Sequence, residues 1–201
     1  MRRVITLASF LAVVGVLSPA VTHAQDFGVM ESAETINQGN FKLRVNPLLF
    51  FGRNGADDTT GVAAMFGYGF TPRFDIEGGV ALGDGVRIFG ATAEFNVARN
   101  EDASFSVIPG FHVRRGDLSI HTTALDLLFL GSTRVTPRLD FYGGLDLSFE
   151  RSDFFDFETV HLVPGLEYKL SDDLDVLVEF GLGLNDDSFH YVSGGLAFYL
   201  R

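Results

Sequence analysis

Cysteine and tryptophan are absent from the 201 residues, and basic side chains are scarce, 15 Lys and Arg against 26 Asp and Glu. Without cysteine the chain has no disulfide, no thiol nucleophile and no sulfur-based metal site, even in an oxidising compartment. A formal charge of −11 argues against nucleic acid, whose phosphates call for a basic face. Long apolar runs are missing too. The one candidate, Val4 to Leu17, falls short of the roughly 18 apolar residues that a membrane-crossing helix needs, so a helical membrane protein is excluded. That run follows Arg2 and Arg3 and precedes Pro19 and Thr22-His23-Ala24, which is the basic, apolar, small-residue order of an export signal cut after Ala24. Removal of residues 1–24 leaves 177 residues and, with Arg2 and Arg3 gone, a formal charge of −13.

What the chain does contain is phenylalanine and glycine, 21 and 23 residues, arranged with a period of two. In Leu139–Glu150 the residues Leu139, Phe141, Leu145, Leu147 and Phe149 fall on one parity, and Asp140, Tyr142, Asp146, Ser148 and Glu150 on the other. Such alternation describes a strand with one oily and one wet face. It returns along the chain and predicts ten strands near 41–51, 59–71, 74–83, 86–98, 103–115, 118–130, 138–151, 159–170, 174–185 and 188–200, with eight as the alternative count. Every second connection has similar turn chemistry, Thr71-Pro72-Arg73, Thr136-Pro137-Arg138 and Ser171-Asp172-Asp173, which puts these turns at one end. The expected architecture is all-β, a transmembrane antiparallel up-and-down barrel over residues 41–201, preceded by a periplasmic segment, residues 25–40. No outward position of Leu43, Val45, Leu49, Phe66, Ile76, Val80, Phe89, Phe111, Leu162, Val178 or Leu196 is charged. Tyr68, Phe70, Phe74, Phe95, Phe105, Phe129, Phe141, Tyr168 and Phe198 are expected to form an aromatic girdle at the periplasmic rim, and Phe51, Phe89, Phe111 and Phe149 a thinner upper one.

Two features strain this pattern. Pro47, Pro109 and Pro164 sit inside strands, where each deletes a ladder hydrogen bond, so bulges or gaps are expected there. In the sixth strand a bulge near Thr122-Thr123 is expected, because otherwise Asp126 would face lipid.

The inward parity carries the candidate functional residues. Lys42, Arg44, Arg138 and Lys169 face Asp75, Glu77, Glu94, Asp126, Asp140, Glu167, Asp175 and Glu179, a charge network that either closes the periplasmic half with salt bridges or lines a narrow cation-preferring pore. Higher up, Leu48, Phe50, Met65, Val86, Ile88 and Ile108 form either an apolar recess or plain packing against the volume that lumen glycines leave. A tight turn at Gly116-Asp117 would set His112 beside His121 and Arg114 beside Ser119. Two adjacent imidazoles could hold a metal or share a proton, although spacing supplies no third ligand. No cofactor is implied, and no Ser, His and acid are linked by local spacing.

The exported N-terminus, the Thr-Pro-Arg turns and the closing run Tyr191–Leu200 together resemble the small outer-membrane β-barrel proteins of Gram-negative bacteria, the superfamily with OmpA-like and OmpW-like members. Members usually end on an aromatic residue, whereas this chain ends Tyr199-Leu200-Arg201. The resemblance implies residence in the outer membrane, contact with its lipid and lipopolysaccharide, insertion by the barrel-assembly machinery and a monomeric state. The function expected is non-enzymatic, structural or a narrow passive channel with a charged periplasmic plug. The alternatives are a barrel enzyme acting on lipid or peptide near His112 and His121, and a lipocalin-like carrier of apolar ligands.

Overall fold

The computed structural model of the protein describes residues 28–201 except 54–56, 84, 117–120 and 153–155, so the export signal expected over residues 1–24 lies outside the described residues. The fold is a closed antiparallel barrel of ten strands in up-and-down order. The strands are β1 (Phe41–Phe51), β2 (Thr59–Thr71), β3 (Phe74–Gly83), β4 (Val86–Arg99), β5 (Ala103–Gly116), β6 (His121–Thr136), β7 (Leu139–Ser152), β8 (Asp156–Ser171), β9 (Leu174–Gly183) and β10 (His190–Leu200). Closure comes from β1 pairing with β10, Phe41 opposite Leu200 and Phe51 opposite His190, which leaves no free sheet edge.

Parity decides which face each side chain takes. On β1, Lys42, Arg44, Asn46 and Leu48 are buried in the lumen while Phe41, Leu43 and Phe51 are exposed. The exterior is apolar all round, with Phe66 50%, Phe111 53% and Leu125 66% exposed. A water-soluble protein would hide such surface, whereas lipid solvates it. At the short-turn rim the rings of Phe41, Tyr68, Phe70, Phe74 and Phe95 contact one another in series, with centroids 4.8 to 5.7 Å apart. Phe51, Phe89, Phe111 and Phe149 are exposed nearer the other end.

The three strand prolines produce gaps and no bulge. Each keeps a partner on one side, Pro47 with Val62, Pro109 with Leu127 and Pro164 with Gly143. On its other side the pairing skips two residues without a change of register, at 46–47, 108–109 and 163–164. The register shifts lie elsewhere, at Gly69/Thr71, Asn96/Ala98, Arg134/Thr136 and Lys169/Ser171, all at the short-turn rim.

β6 differs from its expected register. Arg115 pairs with His121 and His112 with Ala124, three residues away from the pairing that a turn at Gly116-Asp117 would impose. An odd slip exchanges the two faces of a strand. Asp126 therefore points into the lumen with no bulge near Thr122, and Arg114 faces Thr122; Ser119 lies outside the described residues.

Candidate functional site in the barrel lumen

Of the segment expected to be periplasmic, residues 25–40, the described part, residues 28–40, runs inside the barrel. The segment precedes β1 and reaches from the short-turn rim, where Gln38 bridges Gly69 in parallel, to mid-depth, where Gly28 comes close to Leu48 and Glu179. Val29, Met30, Ala33 and Ile36 are buried there. The wall makes room for it with glycine. A Cβ on Gly69 would lie 2.3 Å from the Ile36 carbonyl oxygen, one on Gly67 2.6 Å from Ile36 Cδ1, and one on Gly195 2.8 Å from Met30 Cε.

Glu179, on β9 and wholly buried, is the deepest attachment point. Its carboxylate accepts the Val29 N–H at 2.9 Å, the Met30 N–H, the Tyr191 hydroxyl at 2.7 Å and the Tyr142 hydroxyl at 3.0 Å. Four donors satisfy a charge that burial alone would leave very costly. Further along, Glu167 accepts from Ser32 N–H at 3.3 Å and Asp75 from Ile36 N–H at 2.6 Å. Donors from the wall meet the carbonyls of the segment: Arg44 donates to Val29 O, Asn96 Nδ2 to Ala33 O at 2.9 Å and Ser106 Oγ to the same oxygen at 3.3 Å.

Charged side chains cluster around these contacts. Lys42 Nζ lies 2.6 Å from Glu77 and 3.4 Å from Glu31, and Arg44 lies 3.3 Å from Glu77 and 3.8 Å from Glu31. Nearer the rim, Glu34 is approached by Arg134 at 3.3 Å, Arg99 at 3.9 Å and Lys169 at 3.9 Å. Lys169 also lies 3.4 Å from Asp140. A cavity of about 230 Å³ opens at this rim between the segment and the wall, lined by Glu34, Asn40, Arg99, Glu167 and Lys169 among others.

Of the charges expected in the lumen, Lys42, Arg44, Asp75, Glu77, Glu94, Asp140, Glu167, Asp175 and Glu179 are buried, and Asp126 and Lys169 partly so. Arg138 is not among them. It is exposed in the turn before β7, and the cations beside Asp140 are Lys169 and Arg134, whose Nε lies 3.8 Å away. Asp75 faces Glu94, and Asp140 faces Glu167, directly across strand pairs. Like charges so placed destabilise a sheet unless donors or cations intervene, and the segment supplies N–H groups to Asp75 and Glu167.

The upper-lumen apolar set, read from the sequence as either a recess or plain packing, is packed. Leu48, Met65 and Ile88 join Ala63, Ala81 and Tyr191 in one buried cluster with Phe50 and Val86 against it, while Ile108 belongs to a second cluster with Val29, Met30 and Ala33. Tyr142 and Tyr191 cover Gly165 and Gly181, so glycine there admits a ring and leaves no void. The histidine pair does not form. His112 is buried with Nδ1 2.9 Å from Asp126, whose other oxygen accepts the Ser148 hydroxyl at 2.7 Å. His121 is exposed opposite Arg115. Among the described residues no group of three His, Asp or Glu is arranged to hold a metal ion.

Residues not assigned to the site from the sequence include Glu31, Asn46, Asn96, Tyr142 and Tyr191, and the pairing of Arg114 with Glu150 at 3.3 Å is not anticipated there either. Those on strands share the parity of the charged set, which is the signal that could have found them. At the long-connection rim Arg53 donates to the carbonyls of Asn185 and Ser188, both at 2.8 Å, and ties the first outer connection to the last.

A family model described as outer membrane protein beta-barrel domain matches residues 8–197. Among solved structures, the COG4313 outer membrane channel from Pseudomonas putida F1 superposes with a TM-score of 0.56 at 10% identity, over 88% of this chain and 100% of that one. The translocator domain of the autotransporter NalP from Neisseria meningitidis gives a TM-score of 0.52 at 12% identity, over 82% and 89%. At these identities the similarity is one of fold. No curated protein sequence matches the chain.

Proposed function

The chain belongs to the outer membrane protein β-barrel domain family, which places it in the outer membrane, and from that premise we propose that it is a narrow, cation-preferring passive channel held closed from the periplasmic side by residues 28–40. The observation that carries this reading is how the segment is held. One isolated bridge at Gln38–Gly69 links it to the sheet, and its remaining polar contacts are ion pairs and hydrogen bonds that water or a solute can replace. Carboxylates dominate the lumen once the segment leaves, with Asp75, Glu77, Glu94, Asp140, Glu167, Asp175 and Glu179 facing Lys42, Arg44 and Lys169. Such a wall attracts cations and repels anions. The packed cluster of Leu48, Met65, Ile88 and Tyr191 narrows the upper lumen and restricts passage to ions and slender solutes.

A non-enzymatic role fits the His112 site, because the Ser148 hydroxyl donates to Asp126 and is not aligned on the imidazole as a nucleophile would be. A soluble lipocalin-like carrier is at odds with an exterior of exposed phenylalanine. Planar-bilayer recording tests the channel. The parent should show rare brief openings, and Glu179→Gln, which replaces one of the two accepting oxygens by an NH2 group facing other donors, should open far more often. In a KCl gradient the reversal potential should shift toward that of potassium. Silence from both proteins, or anion preference, would overturn the proposal.

A further inference from the structure

The lumen wall reads the segment as a peptide. Carboxylates of Glu179, Glu167 and Asp75 take amides at positions 29 and 30, 32 and 36, and Arg44 and Asn96 take the carbonyls of Val29 and Ala33. Two glycine seats receive side chains six residues apart, Met30 over Gly195 and Ile36 over Gly67. Between them Glu31 sits within 3.4 Å of Lys42 and 3.8 Å of Arg44. None of these contacts needs covalent continuity with β1. The built-in occupant is also strained, since Met30 holds φ at +46°, a region that side-chain-bearing residues disfavour.

We infer that the lumen is a binding site for short extended peptides that carry aliphatic residues six apart and an acid directly after the first, and that residues 28–40 are its resident pseudo-ligand. This rests on the reading above that the segment can leave. Tethering explains why it wins at rest, because a short linker raises its effective concentration to the millimolar range. A free peptide competes on equal terms only once the tether is cut.

The experiment uses the full chain with a site-specific protease sequence inserted in the exposed turn at Gln38–Gly39, cleaved after folding in detergent micelles and washed to release the fragment. The probe is a fluorescent peptide of residues 28–40. It should bind the cleaved protein saturably, bind the uncut protein weakly or not at all at the same concentration, and suppress the current that cleavage releases. Carrying Met30→Asp and Ile36→Asp together, or Glu31→Lys, the peptide should bind about tenfold more weakly or worse, and a scrambled peptide should not bind. Current released by cleavage with no peptide binding would sink the peptide site and leave the gated channel standing. Saturable binding with no current in any state would sink the channel and leave the site. Should the cleaved barrel unfold, read as loss of its β-sheet circular dichroism, the uncut chain bearing Met30→Asp and Ile36→Asp takes its place as receptor for the unaltered peptide. Failure to bind there overturns the inference.

Discussion

Replacing Gly69 by alanine adds one methyl to the lumen wall. That carbon would lie 2.3 Å from the Ile36 carbonyl oxygen and 2.4 Å from that of Asn37, both backbone atoms of the inner segment. An ordinary contact is nearer 3.5 Å, so the segment must retreat by about 1 Å. Three hydrogen bonds pass through this corner: Gly39 N–H to Gly69 O at 2.8 Å, Gly69 N–H to Asn40 O at 3.1 Å, and Ile36 N–H to Asp75 at 2.6 Å. At about 1 kcal/mol for each neutral bond and about 2 kcal/mol for the one to a carboxylate, the docked state loses roughly 4 kcal/mol. With 1.4 kcal/mol per factor of ten, the ratio of docked to released segment falls by about 10³. The barrel itself should gain slightly, by about 0.5 kcal/mol, because alanine is easier than glycine to hold in a strand. The assay is digestion of the folded protein with a glutamate-specific protease, reading cleavage after Glu31 and Glu34 by mass spectrometry. The parent should be protected and Gly69→Ala cut at a rate higher by about the same factor, with more current in bilayers. A correctly folded Gly69→Ala protein with parental protection and parental current would refute the claim that close approach at this glycine holds the segment.

Other perturbations probe the shell and the charge cluster. Leu145→Arg, at an exposed position midway along β7, should cost about 2–4 kcal/mol in urea unfolding from vesicles; an effect near zero would mean that this face does not meet hydrocarbon. Glu77→Gln removes the closest carboxylate of both Lys42 and Arg44 and should destabilise the barrel by about 3–5 kcal/mol in the same assay, whereas a neutral outcome would show that Glu31 suffices. His112→Ala strips Asp126 of its imidazole partner and should cost about 1–3 kcal/mol, while His121→Ala should stay within about 0.5 kcal/mol. Equal effects, or a zinc-induced rise in thermal stability that either substitution abolishes, would restore the pair as a metal site.

Much of the shell was legible because a two-residue period is a local property. The alternation in Leu139–Glu150 assigns each side chain to lipid or lumen before any partner is known, and Pro72 and Pro137 mark turns through their fixed φ. The burial of Lys42, Arg44, Glu77 and Glu179 follows from parity alone once the barrel closes. Register was less accessible. The position of β6 depends on a connection whose length local chemistry does not set, and a slip of three residues separated His112 from His121 and turned Asp126 inward. Arg138 shows the same limit at a strand end, where one residue divides wall from turn.

The contents of the lumen depended on the tertiary structure entirely. Residues 28–40 have no periodicity, and their partners lie far off in the chain; Val29 and Met30 reach Glu179 across 150 and 149 positions. Alternating hydrophobicity records which medium a side chain meets, lipid or interior, and so it specified a barrel with a polar core. Which donors would satisfy the enclosed carboxylates depends on closure bringing distant strands around one segment, and glycines 67, 69 and 195 acquire meaning only when that segment lies against them.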